Sequence, residues 1–121
     1  MPKTATVLLM LVRFTGLFQL VLGVLFWSGS ATSLIPLHIT VGIIFVLALM
    51  ALAGLATRAA RGLAVTTIVW GAVVAVLGFV QTALLPGAAH WVVQVLHLLV
   101  GLAAIGLGEM LGGRMRRAAR S

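Results

Sequence analysis

Residues 35–56 read IPLHITVGIIFVLALMALAGLA, and this stretch decides the class of fold. It contains no Asp, Glu, Lys or Arg in 22 residues, enough apolar helix to cross the hydrocarbon core of a bilayer. Three further apolar stretches of similar length lie at 7–27, 63–85 and 91–111. Helices are the expected form, because a chain inside a bilayer must satisfy its backbone hydrogen bonds internally.

The composition of the chain excludes an ordinary soluble domain. Of its 121 residues, 63% are hydrophobic and only 7% are charged, which is too little charge to cover a water-exposed surface. Short connections between the four stretches favour an up-down-up-down arrangement. We therefore predict an all-α, four-helix transmembrane bundle that forms a single domain over residues 1–121.

Positive charge is concentrated at the two termini and between the second and third stretches. The residues concerned are Lys3, Arg58, Arg61, Arg114, Arg116, Arg117 and Arg120. The connections at 28–34 and 86–90 contain no charged residue. By the positive-inside bias we expect an integral protein of a bacterial inner membrane with both termini cytoplasmic. The basic ends favour membrane lipid as a partner over nucleic acid.

An internal repeat relates the two halves of the chain. HITVG at 38–42 matches HLLVG at 97–101 under a shift of 59 positions. GLFQLVLG at 16–23 aligns with GAVVAVLG at 71–78 under a shift of 55 positions. The pattern predicts a bundle built from two copies of one helical hairpin.

The repeat places one histidine on each of two related apolar helices. Gly42 follows His38 by four residues and Gly101 follows His97 by four, so each glycine shares a helix face with a histidine. A glycine in that position leaves a notch against which a flat macrocycle can lie. Paired imidazoles suit the two axial sides of a haem iron, and the absence of cysteine excludes covalent attachment. We predict non-covalent haem b, with His38 and His97 as metal ligands.

Other polar residues near the outer ends are candidates to assist such a site. His90, Gln94 and His97 share one face of the fourth stretch. His90 is expected to contact a haem propionate or a quinone head group, unless it is an ordinary boundary residue. Gln94 is expected to orient an imidazole. Hydroxyl groups of the first connection are further propionate donors: Ser28, Ser30, Thr32 and Ser33.

Three polar residues inside the apolar stretches call for partners. Arg13 and Glu109, the only acid, are expected to pair across neighbouring helices, or else to reach separately to the membrane interface. Gln19 has no counterpart in the repeat, and neither has Gln81. We expect both glutamines to form inter-helix hydrogen bonds.

This arrangement resembles the small b-type membrane cytochromes, in which four helices hold non-covalent haem between histidines on two helices. The resemblance covers the whole chain in architecture, and in residues it rests on His38, Gly42, His97 and Gly101. It implies one-electron transfer or redox sensing, with an oxidoreductase activity that exchanges electrons with a quinone, superoxide or a partner carrier. Larger members carry two histidine pairs and two haems, whereas this chain has one pair and His90.

A function of another class stays open. The chain is then a non-catalytic membrane module, such as a small transporter-like or partner-binding subunit, whose histidines serve packing or proton transfer. For either function, small residues in two of the stretches indicate how the chain assembles. They are Gly106, Gly108, Gly112 and Gly113 in the fourth stretch, and Ala48, Ala51, Ala53 and Gly54 in the second. They cannot all face one core, so we expect a homodimer.

Overall fold

The computed structural model describes residues 1–121 and is entirely helical. Helix α1 spans Lys3–Trp27, α2 spans Ile35–Val80 and α3 spans His90–Ala118. Short 3-10 helices at Thr32–Leu34 and Gln81–Ala83 flank α2. All three α-helices are long and apolar enough to cross a membrane.

The structure has three α-helices, whereas the sequence predicted four. The helices are therefore not divided into two separate hairpins as predicted. Helix α2 runs through both middle stretches, and its 46 residues would extend about 69 Å if straight. Its backbone leaves the helical region at Ala60, with φ −160° and ψ 66°. A Cβ built on Gly71 would lie 3.1 Å from Cγ of Met50. The two halves of α2 therefore fold back against each other at Ala60.

The helix ends differ from the predicted spans in ways that follow from the turn residues. Helix α1 begins at Lys3, four residues earlier than predicted, directly after Pro2. Helix α3 continues seven residues past the predicted end at 111, and no proline interrupts the arginine-rich tail. Regular helix stops at Val80 rather than 85. The connection that follows contains Gly87 at φ 90°, a conformation that glycine adopts without cost.

The packed core lies away from the end of the bundle that carries Trp27 and Trp91, which we call the outer end. One cluster of buried side chains joins all three helices at the opposite, inner end: Ala5, Leu9, Leu52, Ala53, Ala56, Ala64, Leu111 and Met115. A second cluster continues it toward the middle: Val12, Phe45, Val46, Ala48, Leu49, Val74, Val100 and Ala104. Near the outer end, Leu22 and Val93 are buried but belong to neither cluster.

Glycines on α3 allow α1 to approach closely. A Cβ on Gly108 would lie 3.0 Å from Cγ1 of Val12, and one on Gly112 would lie 2.6 Å from Cδ2 of Leu9. Both glycines are buried within the chain. The sequence left these two glycines, four residues apart, available for contact with a second chain. In the structure they pack inside the bundle instead. Gly106 differs, since no atom lies within 4 Å of its Cβ position.

One ion pair joins α1 to α3. Nε of Arg13 donates to Oε1 of Glu109 at 2.5 Å, and Nη2 donates to Oε2 at 2.8 Å. This two-point geometry is the strongest form of an arginine–carboxylate contact. The predicted pair is confirmed, and the alternative in which each side chain reaches the interface alone is not observed.

We expect Arg13→Leu to destabilise the protein by about 1–3 kcal/mol, between the values typical of exposed and buried pairs. The expected loss of stability is smaller than for a fully buried pair because the two side chains are 39% and 40% exposed. Glu109→Leu added to Arg13→Leu should restore most of the loss, since it removes the unpaired carboxylate. Thermal unfolding in detergent measures both variants. Arg120→Leu, an exposed site, is the control. Equal stability of the single and double variants would contradict a contributing pair.

Candidate cofactor site

The fold brings the two repeat histidines together at the outer end. The ring centres of His38 on α2 and His97 on α3 are 6.4 Å apart, and their planes are inclined by 68°. Two imidazoles that bind one metal ion from opposite sides, each at about 2.0–2.1 Å from the nearer nitrogen, have ring centres roughly 6 Å apart. The observed separation therefore suits coordination of a shared ion.

A cavity of about 450 Å³ surrounds the two histidines. This volume falls within the range of roughly 300–1,000 Å³ that is typical of small-molecule sites. The cavity lies where the hydrophobic core is thin, between the outer halves of the three helices. All six residues that the sequence singled out line its wall: His38, Gly42, His90, Gln94, His97 and Gly101. Well-packed small domains rarely leave such a space.

The buried side-chain polar atoms that lack a hydrogen-bond partner all lie in this cavity wall. They are Nδ1 of His38, Nδ1 of His97 and Oε1 of Gln19. Buried polar groups are normally paired, because an unpaired one costs about 1–3 kcal/mol. His90 differs from the other two histidines, since its Nδ1 contacts the carbonyl oxygen of Leu84 at 3.1 Å.

Gln19 connects α1 to the backbone of the first histidine. Its Nε2 donates to the carbonyl oxygen of His38 at 2.8 Å, which confirms the expected inter-helix hydrogen bond. A Cβ on Gly42 would lie only 2.7 Å from that Nε2. Gly42 therefore makes room for the Gln19 amide.

The second histidine has a different neighbourhood. No atom lies within 4 Å of a Cβ built on Gly101, whereas one built on Gly78 would lie 3.4 Å from Cε1 of His97. Gly101 thus keeps the open notch that was predicted, and Gly78 contacts the imidazole from the second half of α2. Phe26, which the sequence did not single out, packs edge-on against His38 with ring centres 5.3 Å apart. Aromatic contacts of this kind have no signature in local spacing.

The polar groups at the outer mouth differ in part from those expected. His90 and Gln94 line the cavity, but Gln94 forms no hydrogen bond to either imidazole. Gln81 donates to the carbonyl oxygen of Gly78, within its own segment, at 3.3 Å. Its predicted inter-helix bond is therefore absent. Thr82 lines the cavity with Gln81, whereas the four hydroxyl residues of the first connection do not.

Comparisons with family models, curated proteins and solved structures found no match. The donor set of the cavity must therefore be judged on its own chemistry. The chain contains no group of three or more His, Cys, Asp or Glu side chains that could hold a metal ion. Two imidazoles alone supply half of the ligands of a tetrahedral ion. They are sufficient where a macrocycle supplies the rest.

Proposed function

We propose that this chain is a membrane-embedded haem b protein for one-electron transfer or redox sensing, with His38 and His97 as axial ligands. One observation carries the proposal: two imidazoles line a ligand-sized cavity with their ring centres 6.4 Å apart, and neither ring forms a hydrogen bond to the protein. A histidine used for packing or proton transfer is expected to have a ring partner, as His90 has. The pair is therefore better suited to coordinate a ligand than to join helices.

The residues around the pair fit haem in three respects. Glycine at positions 23, 78 and 101 keeps side chains out of the cavity, and the wall is otherwise largely apolar. Nδ1 of each histidine is sealed in protein, so Nε2 is the nitrogen available to an iron. The mouth offers donors to carboxylates, and those donors are Gln81, Thr82, His90 and Gln94.

Haem held by His38 and His97 would supply one reversibly exchanged electron. The chain contributes the two imidazoles, a low-dielectric wall and an opening at the outer end. An electron donor or acceptor must approach that opening, because the packed core closes the inner side. A quinone, superoxide or a partner carrier are the classes of redox partner that suit such a centre.

The absorption spectrum of the purified protein, with a pyridine haemochrome assay, tests the proposal. Protein from haem-replete cells is expected to carry about one low-spin haem b per chain. Colourless protein that also takes up no added haem would overturn the proposal. The chain would then be the alternative non-catalytic membrane module, in which the histidines serve packing.

We also propose that the chain crosses the bilayer four times, counting the two halves of α2 separately. The repeat supports this count, because related positions make related contacts. A Cβ on Gly16 would lie 2.9 Å from Ile105, and one on Gly71 would lie 3.7 Å from Val46. The shifts of 55 and 59 positions map Gly16 onto Gly71 and Val46 onto Ile105. Each copy of the hairpin thus packs on the other through equivalent glycines.

Four crossings place both termini and Ala60 on one side, which we propose to be the cytoplasm of a bacterial cell. Reporter fusions after residues 30, 60, 88 and 121 test this topology. Fusions at 60 and 121 are expected to report the cytoplasm, because arginines flank both sites. Those at 30 and 88 should report the opposite side. An outside signal at residue 60 would contradict the proposed topology.

Assembly as a homodimer belongs to the same proposal. Small residues that face away from the chain's own core support it, namely Ala51, Ala103, Gly54 and Gly106. Gly106 and Ala103 line a shallow apolar groove of about 280 Å³ between α3 and the second half of α2. Close approach at small residues is the usual source of helix association within lipid.

A further inference from the structure

We infer that the two axial histidines are unequal: His38 holds the haem firmly, His97 holds it weakly, and Gln19 is the positioning residue that makes the difference. The inference rests on the proposed haem function. It departs from the sequence, in which the two histidines occupy matched positions of a repeat.

His38 is fixed in place from two directions. The Gln19 amide holds its backbone carbonyl at 2.8 Å, and the Phe26 ring lies edge-on against its imidazole. Both contacts come from α1, a different helix from the one that carries His38. A ligand held by a neighbouring helix keeps its position when the opposite ligand moves.

His97 has no comparable support. The shift of 55 positions maps Gln19 onto Val74 and Phe26 onto Gln81. Val74 is buried in the apolar core, and Gln81 donates only to its own segment. Opposite the His97 imidazole is Gly78, which has no side chain. His97 therefore has neither the side-chain hydrogen bond to its backbone carbonyl nor the phenylalanine contact that His38 has.

Gln19 also offers a hydrogen-bond acceptor at the right side of the site. A histidine that binds a metal through one nitrogen almost always donates the other N–H to an acceptor, which fixes the ring and strengthens the ligand. Oε1 of Gln19 is the only buried side-chain oxygen in the chain without a donor, and Nε2 of the same amide already donates to the carbonyl oxygen of His38. We assign Oε1 as the acceptor for Nδ1–H of His38 in the haem-bound protein. Val74, the repeat counterpart of Gln19, cannot supply such an acceptor to His97.

Haem titrations of detergent-solubilised apoprotein, followed by absorbance, test this assignment. His97→Ala, which keeps His38, should bind haem at least roughly tenfold more tightly than His38→Ala, the low end of the effect of such supporting groups. Gln19→Leu should weaken binding roughly 10–100-fold when added to His97→Ala. The same change should have little effect when added to His38→Ala, because Gln19 does not support His97.

Two glycine-to-alanine variants on α2 separate displacement of the Gln19 amide from a general effect of the substitution. Gly42→Ala should displace the Gln19 amide, since the new Cβ would lie 2.7 Å from its Nε2. It should therefore reproduce the effect of Gln19→Leu in the His97→Ala background. Gly54→Ala, on the same helix but outside the cavity and with nothing within 4 Å of the new Cβ, should leave that background unchanged.

The outcomes separate the inference from the proposed function. If wild-type protein takes up no haem, both are overturned. If it takes up haem but His38→Ala and His97→Ala bind equally, only the inequality is overturned. If Gln19→Leu weakens both single-histidine backgrounds to the same extent, Gln19 acts through general stability, and its assignment to His38 is wrong.

Discussion

Replacing either of the proposed haem ligands, His38 or His97, by alanine is expected to abolish the low-spin haem spectrum. His38→Ala should lose most of its haem, and His97→Ala should retain a high-spin, five-coordinate haem. The loss of haem affinity in His38→Ala should exceed the 10–100-fold loss that typically follows removal of a group that only supports a ligand, because a direct ligand is removed. Haem content per chain and the position of the Soret band measure both variants.

His90→Ala is the matched control for that result, since it removes the third imidazole of the same cavity wall. Its ring is already engaged with the carbonyl oxygen of Leu84, so low-spin haem should remain. Loss of low-spin haem in His90→Ala, together with retention of low-spin haem in His97→Ala, would place the second ligand at the mouth of the cavity. His38→Leu combined with His97→Leu should yield colourless protein that still folds, because leucine is compatible with an apolar wall.

Filling the interface between α1 and α3 is expected to have the largest effect on stability. Gly112→Leu introduces a side chain where even a Cβ would lie 2.6 Å from Leu9. Leu9 is itself buried among core residues and has little room to move. Overpacking of this kind typically costs about 1–3 kcal/mol and occasionally more. Thermal unfolding in detergent should show a lower midpoint, and expression in membranes should fall.

Gly106→Leu is the control for the packing result and the test of assembly. Its Cβ would meet nothing within 4 Å, so the folded chain should keep its stability. If the groove at Gly106 forms the contact between two copies, native mass spectrometry in mild detergent should show fewer dimers. A monomeric wild-type protein across several detergents would contradict the proposed dimer. Unchanged stability of Gly112→Leu would contradict the close approach of α1 and α3.

Several features of the site were accessible from spacing alone. The repeat placed His38 and His97 on different helices at similar depth, and the structure brings their rings together. Charge pairing likewise predicted the contact between Arg13 and Glu109. Such inferences succeed because an isolated polar group in an apolar helix is costly, and its few possible partners can be identified in the sequence.

Other features could not be read from the sequence. Residues 58–61 were expected to form a connection between two helices, yet only Ala60 among them leaves the helical conformation, and the chain reverses there. Gly42 and Gly101 were expected to be equivalent, and only one of them faces a neighbouring side chain. Spacing gives the face of a helix on which a residue lies, but not what a third element places against that face.

The sequence by itself determined that this protein is helical and apolar enough for a membrane, and that two histidines and one ion pair interrupt its apolar helices. These properties depend on composition and local periodicity, which a chain carries before it folds. Only the tertiary structure decided that the outer end is hollow and that Gln19 supports one histidine of the pair. Both depend on how α1 packs against α2, a contact between residues far apart in the chain.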